Sequence, residues 1–123
     1  MEKEKFITFA IILVVLLVAA TVIFLKNTSF TVKDTVSEAE ARWIGSHSVV
    51  YTQAGCSHCI EQENLFGTNW KYINSVDCVS SPENIQACIN ANITATPTWV
   101  INNQQYIGFQ SIDTLKNLTG YQG

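Results

Sequence analysis

Positive charge is scarce in this chain. Seven Lys and Arg residues stand against ten Asp and Glu among 123, a formal net charge of -3. No basic stripe results, so nucleic-acid binding is excluded. Repeats and low-complexity tracts are absent, which removes a repeat array. Aliphatic and aromatic residues continue to the last residues, which excludes intrinsic disorder. Charge is missing altogether from Phe6 to Leu25, where Thr8 and Thr21 are the only polar residues. From Lys26 onward about 40% of residues are hydrophobic, normal for a small soluble domain. That length holds one globular domain, not two.

The uncharged run has two readings. Twenty helical residues span roughly 30 Å, the thickness of a bilayer core. A cleaved signal peptide would have a shorter apolar region of roughly 7–15 residues. Val18-Ala19-Ala20 would pass as a cleavage site, but Val22, Ile23, Phe24 and Leu25 carry the apolar run beyond it. The expectation is an uncleaved anchor over residues 6–25. Lys3, Lys5 and the α-amino group on one side face Lys26 and Lys33 on the other, which leans toward a cytoplasmic residue 1–5 segment. Residues 26–34 read as a polar tether, and 35–123 as the soluble domain.

Hydrophobic periodicity predicts the elements of that domain. A helix is expected from Thr35 to Trp43, with Thr35/Glu38 or Ser37/Glu40 as capping box and Gly45 as its end. Val49 to Thr52 is β-branched and aromatic, a buried strand. Ala54-Gly55 is a loop, and a helix runs from about Cys56 to Gly67. Lys71 to Asp77 reads as a second strand. Ser81 and Pro82 start a helix as N-cap and first helical residue, with Ile85, Cys88 and Ile89 as its apolar face. Thr98–Ile101 and Gln104–Ile107 flank Asn102-Asn103 as a hairpin. Ser111 caps a last helix bearing Ile112, Leu115 and Leu118, with Gly120 just past its end. A strand–helix–strand unit followed by a hairpin and a helix argues for an α/β fold, a mixed sheet covered by helices.

The chemistry concentrates in Cys56-Ser57-His58-Cys59, just after a strand and at the start of a helix. Unpaired backbone N–H groups and the macrodipole at a helix start stabilise an anion, so Cys56 is the expected thiolate. Cys59, one turn on, is close enough to form a disulfide with Cys56 or to attack a mixed disulfide on it. His58 can add positive charge or a hydrogen bond beside that thiolate, making the disulfide more oxidising. Glu61 and Glu63 read as a solvated helix face, with Glu61 or water left to deprotonate Cys59. His47 reads as a surface residue, and Trp70, Tyr72 and Trp99 as core or edge aromatics.

Val49–Cys59 followed by Thr96-Pro97-Thr98-Trp99 resembles the thioredoxin-fold oxidoreductases. The chain is most similar to the thioredoxin-like domains that partner, or are fused to, vitamin K epoxide reductase homologues. The similarity lies in Cys56/His58/Cys59, the second pair Cys78/Cys88, Pro97-Thr98-Trp99, and the stretch from Tyr106 to Tyr121. The resemblance covers about residues 46–121. It implies a thioredoxin-like fold after one transmembrane helix, and a cis proline at Pro97 lying against the Cys56–Cys59 pair. The chain departs from cytosolic thioredoxins at Val50, where they carry a buried acid, and in the residues between the cysteines. A His before the second cysteine resembles the periplasmic oxidases and disulfide isomerases instead.

Three further expectations complete the site. A cis bond before Pro97 costs little, whereas before any other residue it costs about 2.5–4 kcal/mol. It would leave the Thr96 backbone free to pair with an extended substrate, so Thr96 and Pro97 are the candidate substrate-binding residues; alternatively Pro97 merely starts a strand. Cys78 and Cys88 read as a structural disulfide, with an electron-relay pair or a four-cysteine zinc site as alternatives. An even four cysteines after an anchor suit an oxidising compartment.

The reading is a membrane-anchored thiol–disulfide oxidoreductase, needing no cofactor or metal of its own and facing the extracytoplasmic side. Its expected partners are substrate proteins with thiols or disulfides. The resemblance adds a vitamin K epoxide reductase-like membrane quinone reductase that reoxidises it. An isomerase or reductant of the same fold, a membrane-tethered metal-binding module and an inert interaction domain are the alternatives.

Overall fold

The computed structural model describes residues 1–27 and 36–123. The chain divides into two units, Met1–Lys33 and Asp34–Gly123. In the first, helix α1 runs from Glu2 to Asn27. Its 26 residues extend about 39 Å, and the helix is long and apolar enough to cross a membrane. Both of its hydroxyls are used internally. Thr8 Oγ1 donates to the carbonyls of Glu4 (2.8 Å) and Lys5 (3.0 Å), and Thr21 Oγ1 to that of Val18 (2.8 Å). No polar side chain along the apolar run is left to seek water. The tether expected from residue 26 is helical through Asn27, and its remainder lies outside the described residues, as does Thr35.

The second unit contains helix α2 (Glu38–His47), strand β1 (Ser48–Thr52), helix α3 (Ser57–Phe66), a 3-10 turn (Gly67–Tyr72) and strand β2 (Ser75–Asp77). Helix α4 (Pro82–Asn90), strands β3 (Thr98–Ile101) and β4 (Gln104–Ile107), and helix α5 (Ile112–Thr119) follow. The sheet order is β2-β1-β3-β4, with β1/β2 parallel and the other two pairings antiparallel. It is the mixed, helix-flanked sheet that the periodicity implied. Val50 pairs with Ser75 on one side and Trp99 on the other, and Trp99 pairs with Tyr106.

The strands follow their composition. β1 alternates buried and half-buried residues, the period-2 pattern of a pleated strand. Asn102 and Asn103 adopt φ of 51° and 62°, the left-handed pair that a two-residue hairpin turn needs. Val36, Ile44, Val50, Phe66, Trp99, Ile101 and Leu115 form the centre of the core. Each such side chain contributes about 1.5–3 kcal/mol by leaving water. Phe66 meets Trp70 and Trp99 with ring centroids 5.5 and 6.1 Å apart.

Helix ends are set by side chains. Ser37 Oγ accepts from Glu40 N, and the Glu40 carboxylate accepts from Ser37 N, a full capping box. Ser81 and Ser111 cap α4 and α5 by accepting from Asn84 N and Thr114 N, without the reciprocal bond, and Gly120 closes α5 in the left-handed conformation (φ 71°). Lys116 Nζ donates to Glu40 Oε1 at 2.7 Å, tying α5 to α2. The Lys116 ammonium, and then the Ser37 backbone and hydroxyl, hold the Glu40 carboxyl down at about 2.

Three expectations are corrected. Gly45 does not end α2, which continues to His47. The glycine is there because the backbone of Tyr72 and Ile73 rests on it, and a Cβ would collide with the Tyr72 carbonyl. The strand expected from Lys71 begins only at Ser75. The preceding residues wrap as a 3-10 turn, because Asn69 is buried and donates to the Val36 carbonyl (2.9 Å) while Trp70 packs on Phe66. The apolar face of α4 is not covered: Ile85 is 44% and Ile89 60% exposed. α4 is short and lies against a three-residue edge strand, so only Cys88 is buried.

Candidate functional site

β1 and β2 run parallel, so their C-terminal ends lie at one end of the sheet. The chain leaves β1 at Thr52, turns through Ala54-Gly55 and enters α3 with Cys56 as its N-cap. Cys56 N donates to the Gln53 carbonyl at 3.2 Å, which closes the turn. Cys56 and Cys59 form a disulfide with Cα atoms 5.2 Å apart. Cys59 N donates to Cys56 Sγ at 3.3 Å, so a helix-start N–H is aimed at that sulfur. The pair is asymmetric: Cys56 is half-buried, whereas Cys59 is 2% exposed. An incoming thiolate reaches Cys56 more readily, and a negative charge left on Cys56 is the better stabilised.

The segment before β3 lies against this sulfur. The Thr96–Pro97 peptide is cis, and the Thr96 carbonyl oxygen is 3.5 Å from Cys56 Sγ. Pro97 is buried and Thr96 half-buried. The Pro97 carbonyl accepts from Gly108 N at 2.7 Å, and Thr98 Oγ1 donates to the Ala95 carbonyl at 2.7 Å. These bonds hold the backbone of Thr96 beside Cys56.

His58 is also at the helix start, but its Nδ1 is engaged by Glu61 Oε2 at 3.2 Å. Both side chains are exposed, at 67% and 62%. Glu61 is thereby committed to His58 and not to Cys59. Residues two apart on a helix face different directions, and Cys59 points into the protein. Val50 is buried in the core and offers no carboxylate. His47 is exposed, stacked on Trp43 and bonded to the Trp43 carbonyl. It belongs to the C-terminal end of α2.

Cys78 and Cys88 form the second disulfide, with Cα atoms 5.8 Å apart. It links the residue after β2 to the interior of α4. Cys78 N donates to the Thr52 carbonyl (2.9 Å), extending the β1/β2 pairing by one residue. Asp77 accepts from Val79 N through its carboxylate and from Ser80 through its carbonyl, so the intervening turn is hydrogen-bonded along its length. The four sulfurs are thus divided between two separate disulfides.

Residue-level reading missed Gln62. It is a polar residue with no exposed surface, one turn beyond Cys59, and it bonds both Trp99 and Gln110. The spacing Cys59, Gln62, Phe66 is the buried face of α3, and a polar residue on that face was the available signal.

No protein-family model matches the chain. It is similar to the thiol-disulfide oxidoreductase LTO1 of Arabidopsis thaliana, 33% identical over 78 residues that take in 58% of this chain and 21% of that protein. The chain therefore spans about a fifth of the length of this curated relative. Such a relative, together with a cysteine pair bridged at a helix start, supports thiol–disulfide redox activity.

Proposed function

We propose that the chain is a membrane-anchored protein thiol–disulfide oxidoreductase of thioredoxin-like fold, with Cys56 as the exchanging sulfur and Cys59 as the resolving one. The observation that carries this reading is the asymmetric Cys56–Cys59 disulfide, its accessible sulfur receiving an N–H of the helix start beside the Thr96 backbone. In the oxidising direction a substrate thiolate attacks Cys56 Sγ. The Cys56–Cys59 bond breaks, and Cys59 leaves as a thiolate that takes up a proton. A second substrate thiolate then attacks the substrate sulfur of the mixed disulfide and expels Cys56. The substrate gains a disulfide and the protein holds two thiols, so two electrons have moved from substrate to protein. A vitamin K epoxide reductase-like quinone reductase in the same membrane would remove those electrons and restore the disulfide.

Within this reading Thr96 and Pro97 line the substrate, whose backbone pairs with that of Thr96 as a short added strand. Cys78–Cys88 is structural and stabilises the fold by about 2–3 kcal/mol. The test is trapping. In Cys59→Ala, Cys56 should accumulate mixed disulfides with substrates, visible as reductant-sensitive bands on non-reducing gels, and Cys56→Ala should trap almost none. Near-parental exchange by Cys56→Ala would sink the mechanism. The working disulfide also requires the domain to face the oxidising, extracytoplasmic side, with residues 1–5 inside. Impermeant thiol reagents added to intact cells should therefore label Cys56 after mild reduction. Labelling only after permeabilisation would reverse the topology.

A further inference from the structure

Gln62 is a buried amide with nearly all its hydrogen-bonding capacity spent on two segments. Oε1 accepts from Trp99 Nε1 at 3.1 Å and from Gln110 N at 2.8 Å, while Nε2 donates to the Gln110 carbonyl at 3.1 Å. Trp99 has no exposed surface. A buried amide without partners costs several kcal/mol, and these partners also fix its orientation. Turned by half a revolution, the amide would oppose an NH₂ to the indole N–H and a carbonyl oxygen to the Gln110 carbonyl.

These bonds close a ring around the Cys56–Cys59 pair. From Cys59 the α3 backbone leads one turn to Gln62, and Gln62 holds Gln110 by both its N–H and its carbonyl. Two residues back, Gly108 N donates to the Pro97 carbonyl at 2.7 Å. Thr96 next to it places its carbonyl 3.5 Å from Cys56 Sγ. The second route is shorter: Gln62 to the Trp99 indole, and along β3 to Pro97. Both routes tie the helix that carries the cysteines to the segment that faces them.

We infer that Gln62 is a positioning residue that sets the spacing between Cys56 and the Thr96–Pro97 backbone, and hence the slot in which an extended cysteine-containing segment lies during exchange. The inference rests on the proposed function. Gln62 touches neither sulfur, so its effect falls on substrates that need the backbone of Thr96. Small thiols, which need only Cys56, are spared.

The test uses full-length protein and two probes, a reduced two-cysteine peptide and dithiothreitol. Gln62→Met keeps length and removes all three hydrogen bonds. It should slow disulfide exchange with the peptide by about tenfold or more, while the rate with dithiothreitol stays within about twofold of the parent. Gln62→Met leaves the Trp99 indole N–H and the Gln110 N–H and carbonyl without this partner, so the same measurement is made on Gln62→Met/Trp99→Phe, which removes the indole donor at the cost of some core packing. At a temperature where both variants are fully folded, peptide exchange should stay slow in each while dithiothreitol exchange stays near the parent rate, a split that a merely structural amide would not produce. Equal slowing of both probes, or unchanged peptide exchange in both folded variants, overturns the positioning role alone. A parent protein that exchanges with neither probe removes the proposed function and this inference together.

Discussion

The two disulfides leave the same end of the sheet, one after β1 and one after β2, and each joins a half-buried cysteine to a buried one, yet only the first stands at a helix start. Cys56–Cys59 spans three residues within one helical turn, and its outer sulfur is half-buried and receives the Cys59 N–H. Cys78–Cys88 spans ten residues and joins a strand end to a helix interior; Cys78 is half-buried and Cys88 buried, as in the first pair, but neither stands at the start of a helix. The first setting stabilises a thiolate. The second closes a loop, and loop closure restrains the unfolded chain. Sequence motif and helix start coincide at only one of the two pairs.

The strongest way to break this comparison is to remove each pair in turn. Cys56→Ala should lower disulfide exchange by roughly a thousandfold or more, since Cys59 is buried and the other two cysteines lie away from a helix start. The Cys56–Cys59 loop is the shorter one, so the melting temperature should fall less than when the second pair is removed. Cys78→Ala/Cys88→Ala should do the reverse. Losing about 2–3 kcal/mol in a domain of this size lowers the melting temperature by roughly 10–20 °C, with exchange at low temperature largely retained. Graded dithiothreitol followed by mass-tagging of thiols should find Cys56–Cys59 opened first. Lost exchange at unchanged stability in the Cys78/Cys88 variant would make that pair an electron relay instead.

What was legible in the residues follows the same division between local and distant causes. Cys56 at a helix start, the Ser81-Pro82 cap, the Asn102-Asn103 turn and the Gly120 stop are decided within a few residues, and each could be read directly. Gly45 misled because a glycine that accepts a neighbouring backbone looks the same in sequence as one that ends a helix. The 3-10 turn before β2 was hidden because its cause, the bond from Asn69 to Val36, spans 33 residues. Gln62 was missed for a similar reason, since its partners lie 37 and 48 residues away. The cysteines of the site were visible, but the frame that holds them was not.

A smaller effect separates covalent from electrostatic restraint. Glu40 receives Lys116 at 2.7 Å and closes the α2 capping box, and these bonds hold its carboxyl at about 2. Because the folded-state value lies below the ordinary glutamate value of 4.5, the ionised pair contributes fully above that value. The contribution is lost as pH falls from about 4.5 toward 2. Glu40→Gln should cost about 1–2 kcal/mol at neutral pH, discounted for partial exposure, and almost nothing near pH 2. Urea unfolding at both values measures this. An equal cost at both would assign the effect to the capping hydrogen bonds instead of the charge. Neither disulfide should change its order of reduction in this variant, since α2 and α5 are not the elements that carry the cysteines.

The smallest expected effect tests why the first disulfide would be oxidising at all. His58 lies one residue past the first of α3, where its imidazole can favour a thiolate on Cys56, but Glu61 Oε2 sits 3.2 Å from its Nδ1. A carboxylate beside the imidazole draws part of that influence away from the sulfur, and both groups are well exposed, so solvent weakens each interaction. His58→Ala should therefore make the disulfide less oxidising, with the equilibrium against glutathione shifting by only about two- to fivefold. Glu61→Gln should shift it by a similar or smaller amount in the opposite direction, because the imidazole is released toward Cys56. The double variant separates the two routes: if Glu61 acts only through His58, adding Glu61→Gln to His58→Ala changes nothing further. A Glu61→Gln shift that persists without His58 would mean that the carboxylate acts on the Cys56 thiolate directly, by repulsion. The helix-start N–H of Cys59 would then be left as the main group favouring the reduced form, and that backbone group no side-chain substitution removes.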